Sequence, residues 1–340
     1  EGMLTLGKEL PSVLGTSEPN ENAADLRTKG WEVAVNYRDN VNFLNDRLSF
    51  GARLTLADAQ SEITSFDNPN QNLNQYYVGA QIGEIWGLTV DGFFESEEEI
   101  TNSPDQSSMV PWGAIPTTVG SIKFADINGD GVITKGTTVA DPGDMKVIGN
   151  SEARYRFGIN LDFNYKGFDV QTFFQGIGKR DYYPFHYVFW GFHQQPYNGG
   201  FTHLLDYYRA ADDSPEAMSQ HSQKYIDMGL ANANTDSRYP VLQAWNMDVN
   251  TYGAGSTPND KYLLDASYLR WKNLTIGYRL PGEIIQSLGL SQVRVYLSGE
   301  NLMEWSEISD IVDPEAVTNN GRGYVYPFQR RYSLGINVQF

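Results

Sequence analysis

The chain has 340 residues and a formal charge of −17, with 25 Lys and Arg against 42 Asp and Glu. That balance argues against nucleic acid as a partner, because phosphate binding needs clustered cations. The absence of cysteine excludes disulfides and thiolate metal sites. No apolar run of about 18 residues is present, so no transmembrane helix is predicted. The mean hydropathy of −0.44 does not bear on β-strands, which cross a bilayer on about 10 alternating residues. The chain opens on Glu1 without a signal-peptide pattern, so it reads as a mature piece or a fragment of something longer.

Seven segments alternate apolar with polar or small residues, the period of a strand with two unlike faces. The first runs from Trp31 to Arg38 and the second from Leu48 to Leu56. Phe157 to Tyr165 follows, then a tight turn at Lys166-Gly167 into Phe168 to Phe174. Leu274 to Leu280, Val293 to Ser298 and Tyr332 to Phe340 complete the set. The segment Tyr76 to Phe94 is aromatic and Gly-rich and fits either two more strands or an ordered loop. The connections are lopsided. Asp39 to Arg47, Lys166-Gly167 and Pro281 to Ser291 are short. Asp58 to Arg154, Lys179 to Ala266 and Met303 to Pro327 are long. The polar face carries Arg38, Arg53, Asp162, Arg279 and Arg294, as a hydrated lumen allows.

Strict alternation of short and long connections is the habit of outer-membrane barrels. A soluble β-sandwich has similar strands but seldom this connectivity. The expected fold class is therefore all-β: an antiparallel transmembrane β-barrel with long extracellular loops. If Lys166-Gly167 is a periplasmic turn, parity puts the loops around Asp126, Trp190 and Asp313 outside the cell and Phe340 at the periplasmic rim. Trp31, Val33, Val35, Phe50, Leu54, Ile159, Phe163, Leu274, Ile276, Leu334 and Ile336 should face lipid. The terminal strand should pair with the Val293 strand. An odd number of strands leaves open edges that lipid does not tolerate, so residues 1–340 should form part of a larger barrel.

One loop has a specific pattern. Asp126-Ile127-Asn128-Gly129-Asp130-Gly131-Val132-Ile133-Thr134 matches the first nine positions of an EF-hand or dockerin calcium loop. Asp126, Asn128, Asp130 and the Val132 carbonyl are the candidate ligands. Thr137 stands where the bidentate Glu belongs, so Asp144 or Asp141 would have to close the shell; the other reading is an Asn/Asp/Gly turn without an ion. His186, His193, His203 and His221 have no metal-ligand spacing, and no P-loop, dinucleotide fingerprint or nucleophile motif is present. No enzyme activity is expected. The aromatic segment Tyr182 to Tyr197 reads either as a ligand or partner surface or as a loop packed on itself. Tyr187 and Trp190, with Trp245, are the candidate substrate or lid contacts.

Several blocks carry a family resemblance: Asp126 to Asp130 with Asp144-Met145-Lys146-Val147-Ile148-Gly149, Tyr165 to Val170 with Phe174-Gln175-Gly176, and Asp265 to Arg270 running into Lys272 to Pro281. Val293 to Tyr296, Gly299 to Leu302, Asp313-Pro314-Glu315 and Tyr326 to Phe340 follow in order. Together they resemble the C-terminal barrel portion of SusC/RagA-like TonB-dependent outer-membrane transporters, without the plug domain, the TonB box and the earlier strands. The resemblance implies a barrel of about 22 strands, TonB coupling through the missing part, a SusD-like surface lipoprotein as lid, and oligosaccharide or peptide as substrate. It favours Asp144 over Asp141 as the closing ligand, although Gly136 to Gly143 lengthens the loop relative to the family pattern. The alternative from another class is a secreted, calcium-stabilised β-sheet protein that binds or hydrolyses glycans.

Overall fold

The computed structural model describes residues 3–6, 20–109, 115–210, 214–247, 254–285, 289–317 and 328–340. Its strands in chain order are β1 (Met3–Leu6), β2 (Asn20–Phe43), β3 (Asp46–Phe66), β4 (Glu84–Gly87), β5 (Val90–Phe93), β6 (Ile122–Phe124) and β7 (Lys146–Asn150). They continue with β8 (Arg154–Tyr165), β9 (Phe168–Lys179), β10 (Asp181–Tyr182), β11 (Leu264–Asp265), β12 (Tyr268–Arg279), β13 (Gln292–Trp305) and β14 (Arg331–Gln339). Eight of them form one sheet in the order β1-β2-β3-β8-β9-β12-β13-β14. Every neighbour is antiparallel.

All seven expected strands are present, and β14 pairs with β13 from Val338 opposite Val293 to Leu334 opposite Leu297. The eighth, β1, was not expected. The first hairpin also differs from expectation. β2 and β3 run 24 and 21 residues, and Asp39 to Arg47 is mostly strand. The turn is only Leu44-Asn45, both at positive φ (45° and 65°). Consecutive positive φ values match the right-handed twist of a hairpin, and Asn tolerates them. Lys166-Gly167 makes the same kind of turn, with φ 47° and 85°. Tyr76 to Phe94 resolves into β4 and β5, which pair with β7 and β6 away from the large sheet.

The register settles the faces, because directly paired residues point the same way. One row runs Val35, Leu54, Ile159 and Phe174; another runs Phe163, Val170, Ile276, Leu297 and Leu334. The whole expected lipid-facing set lies on this side. Eight of its eleven members are exposed, most of all Leu334 at 75% and Ile336 at 63% on the edge strand, and Phe50, Ile159 and Leu274 are half-buried. None of that set joins a buried apolar cluster. The apolar band on β2 runs from Phe43 up to Trp31, interrupted at Asp39, which Tyr37 OH bonds at 2.9 Å, over about 40 Å of strand at about 3.3 Å per residue. Tilted by about 40°, that is about 30 Å of height, enough for the hydrocarbon layer. Above Trp31 the same side turns polar, with Arg27 paired to Glu62 at 3.0 Å.

The opposite side is wet. Arg38, Gly51, Asp162 and Gln171 form one row, and Asn36, Arg53, Asn160 and Phe173 the next. Arg294 lies flat across Gly277 and grips Asp169, Nε to Oδ1 at 2.9 Å. A Cβ at Gly277 would sit 2.4 Å from that guanidinium, so the small residue makes room for the ion pair.

Candidate functional site

The two longest connections fold together into a cap above the sheet. Leu88, Met109, Ile122 and Ile133 of the first share a core with Tyr183, Phe189, Trp190, Tyr239, Met247 and Tyr262 of the second. The rings interlock: Trp190 and Tyr262 centroids are 4.7 Å apart at 64°, and Phe189 and Tyr239 are 5.4 Å apart. Such edge-to-face pairs favour the aromatic quadrupole. Two polar tips are matched, while Tyr262 OH is buried without a partner among the described residues. Trp190 Nε1 donates to the Pro184 carbonyl at 2.7 Å, and Tyr183 OH donates to the Gly255 carbonyl at 2.7 Å. The backbone ties the connections directly, through Leu88 N–H to Pro258 O at 2.9 Å. Burial pushes the Tyr183 and Tyr262 phenols well above their usual value and lowers His186 and His193 to about 4.

This core corrects one expectation. Trp190 is fully buried, so its ring is a packing element and not an open contact. The reading of the Tyr182 to Tyr197 segment as a loop packed on itself describes Tyr182, Tyr183, Phe189 and Trp190. Tyr187 is 36% exposed and Tyr197 74%, the latter set edge-on to half-buried Trp245 at 6.1 Å. Tyr187, with its ring 6.2 Å from that of Phe201, and Trp245 thus stay partly exposed.

The calcium-type loop belongs to the first connection, with Val132 bridged to Asp105 and Ile133 in the cap core. Gly129 and Gly131 turn it with φ 78° and 84°. Asp126 accepts the Gly129 and Gly131 N–H groups at 2.6 and 2.8 Å. The Gly131 N–H is the largest of the effects holding the Asp126 carboxyl below its ordinary range. Asp144 is fully buried and accepts Ile127 N–H and Thr134 N–H at 2.9 and 2.8 Å, which brings it against Asp126. Asp130 turns instead onto Val132 N–H and Asn128 Nδ2 at 2.9 and 3.0 Å. The donors are hard oxygens of the kind calcium takes. Among the described residues no group of three or more His, Asp or Glu side chains converges into a metal cage.

A second polar cluster was not expected. Arg270, on the wet side of β12 opposite Gln175, is 2% exposed. It meets Asp313 at 2.7 Å, Glu315 at 2.9 Å and Glu304, and Lys272 joins Glu315 at 2.7 Å. Residues 308–317 of the β13–β14 connection are thereby held against the wet face. Ile308, Val312 and Val317 pack on Tyr182 and Ala266, and Gln175 Nε2 donates to Glu315 at 3.3 Å. The Asp313-Pro314-Glu315 block was visible in the sequence. Its cationic partners are more than forty positions away and carried no local signal.

An antiparallel sheet with a bare apolar side, a wet side, tight turns at one end and a folded cap at the other is the wall of an outer-membrane-type β-barrel. Among the described residues no helix is long and apolar enough to cross a membrane, which says nothing against strands. No family model matches the chain. It is 25% identical to TonB-dependent receptor P3 of Formosa agariphila and 25% identical to TonB-dependent receptor P26 of the same organism. Each match covers 99% of this chain and 31% of the relative, so the chain spans under a third of those proteins. Among solved structures it is similar to the RagAB peptide transporter, with a TM-score of 0.66 at 17% identity over 99% of this chain and 32% of that one. The RagAB peptide importer in its open-open state gives 0.64 at 18% identity, over 100% and 31%. The fold is that of the RagAB barrel. The chain resembles the C-terminal barrel portion of SusC/RagA-like TonB-dependent outer-membrane transporters.

Proposed function

We propose that residues 1–340 form part of the barrel wall and much of the outer cap of a TonB-dependent nutrient importer in a Gram-negative outer membrane. The carrying observation is the mostly apolar exterior over a wet interior, from Val33 and Val35 on β2 to Leu334 and Ile336 on β14. The relatives support this reading by name: two are TonB-dependent receptors, and the similar structures are peptide transporters. The chain's part in the mechanism is wall, cap and selectivity, with no covalent step. The substrate is an oligosaccharide or a peptide. A SusD-like lipoprotein covers the outer face, with Tyr187 and Trp245 among its contacts or the substrate's, and TonB acts through the portion of the protein that lies outside this chain. In cells expressing the full-length protein, it should fractionate with the outer membrane, need detergent for extraction and co-purify a surface lipoprotein. Deletion should abolish growth on one class of polymer. A protein recovered in the soluble fraction would end the reading.

Calcium is part of the proposal. Asp126, Asn128, Asp130, the Val132 carbonyl and Asp144 would hold one ion, which would stiffen the cap. Calcium should slow proteolysis of the cap in the purified protein where magnesium does not, and Asp130→Ala should remove that protection without unfolding the wall. Equal cleavage with calcium and with chelator would refute the site.

A further inference from the structure

The charge on the wet side of the sheet runs against the rest of the molecule. The chain as a whole carries −17. In the rows level with the apolar band, the wet side presents Arg38, Arg47, Arg53, Arg279, Arg294 and Arg331. Arg156 and Arg270 share these rows as well, and against the eight arginines stand five carboxylates among the described residues: Glu32, Asp162, Asp169, Glu300 and Glu304. Asp169 is taken by Arg294. Asp162 reaches Arg38 only at 3.9 Å, and the Arg38 side chain stays 84% exposed. Glu300 lies opposite Arg331. Arg47, Arg53 and Arg279 are exposed and have no ion pair among the described residues. An unpaired guanidinium on a concave wall is a fork-shaped donor that fits a carboxylate or similar oxyanion.

The arginines border a real concavity. A cleft of about 530 Å³ opens on this face, lined by Arg38, Asn160, Asn164, Gln171 and Asn273 together with the carboxylates Asp39 and Asp162. That volume is in the range of small-ligand sites. Its carboxamides suit a polar oligomer. Arg53 sits directly opposite Asn160 and Asn36, at the cleft's edge.

We infer that this arginine belt, which borders the cleft, binds anionic, carboxylate-bearing oligomers and gives the lumen a preference for them over neutral ones. The inference rests on the importer reading for its setting and names the substrate chemistry. A pore wall lined by cations selects anions through the same forces, and a low-dielectric wall strengthens them.

The test is equilibrium binding to the purified full-length protein in detergent. The anionic probes are tetragalacturonate and hexaglutamate, which separate a saccharide source from a peptide source. The matching neutral tetragalactose and hexaglutamine are the references. At least one anionic probe should bind more tightly than its neutral partner, with an advantage that shrinks as salt rises. Arg53→Glu, and separately Arg38→Glu, should cut that advantage about tenfold, the scale of a lost charged hydrogen bond. Lys29→Gln, on the outward side, should leave it unchanged. Equal affinity for charged and neutral probes, or an advantage untouched by both arginine variants, overturns the inference. Arginine variants that lower the melting temperature of the full-length protein without altering probe affinity also overturn it, because the belt then holds an acidic segment of the protein itself. The readout is binding alone. Charge-selective binding without import would sink the importer reading and leave the belt standing.

Discussion

The wall and the cap solve the burial problem in opposite directions. In the wall, Leu297, Leu334 and Ile336 point outward and stay exposed, while Arg294 and Asp169 pair on the inner side. In the cap, Trp190, Tyr239 and Tyr262 are inside and nearly inaccessible, as in any protein stabilised by water. The wall relies on backbone pairing and needs lipid to cover its apolar side. The cap relies on aromatic packing and needs water around it. One chain therefore holds two regions whose stabilities should respond to different perturbations.

Removing Arg331 to Phe340 should have the largest effect. It strips the pairing partner from β13 and should abolish membrane assembly, read as loss of the heat-modifiable band on a semi-native gel. Normal assembly would show that the wall does not depend on β14. Trp190→Ala comes next, at about 3–5 kcal/mol for a buried aromatic. It should expose the cap to limited proteolysis while the wall keeps its heat-modifiable mobility; simultaneous loss of both would mean that the regions are one cooperative unit. Ile276→Arg places a charge on the bare side of β12 and should cost about 2–4 kcal/mol near the bilayer midplane. It should reduce assembly and leave the cap of assembled molecules as protease-resistant as before.

Acidification is the gentlest probe. Burial lowers His186 and His193 to about 4 from 6.5. Between those values the unfolded cap binds more protons than the folded one, so stability falls as pH drops through this window. Cap proteolysis should accelerate from pH 7 to pH 5 while the wall's heat-modifiability is unchanged. A cap equally resistant at both pH values would contradict the burial of the two imidazoles.

The wall was legible in the sequence because period-2 alternation is a local signal and lipid enforces it on every strand. The tight turn at Lys166-Gly167 was legible for the same reason. The true extent of the first hairpin was not. Beyond Trp31 the outward residues become Lys29 and Arg27, and alternation of hydrophobicity ends although the strands continue. The cap was hidden more deeply. Trp190 in an aromatic loop looks the same in sequence whether it meets a ligand or Tyr262, and only the fold brings Tyr262 to it. Arg270 was equally silent, since its partners Asp313 and Glu315 are joined to it by tertiary structure alone. Asp126 to Thr134 stood out because glycine and carboxylate spacing is a local code.

The hairpin of β8 and β9 carries a consequence for how the cap comes together. Its short turn closes the strands so that Arg154 stands opposite Lys179. Arg154 is where the first long connection ends, and Lys179 is where the second begins. Zipping twelve-residue strands thus tethers the two halves of the aromatic core at a single point. Their encounter becomes intramolecular at a raised effective concentration, and much of the loop-closure entropy is spent before Phe189 meets Tyr239. Lengthening the Lys166-Gly167 turn would alter no contact in the cap. It would slow the cap's formation all the same, because the tether sets how often its halves collide.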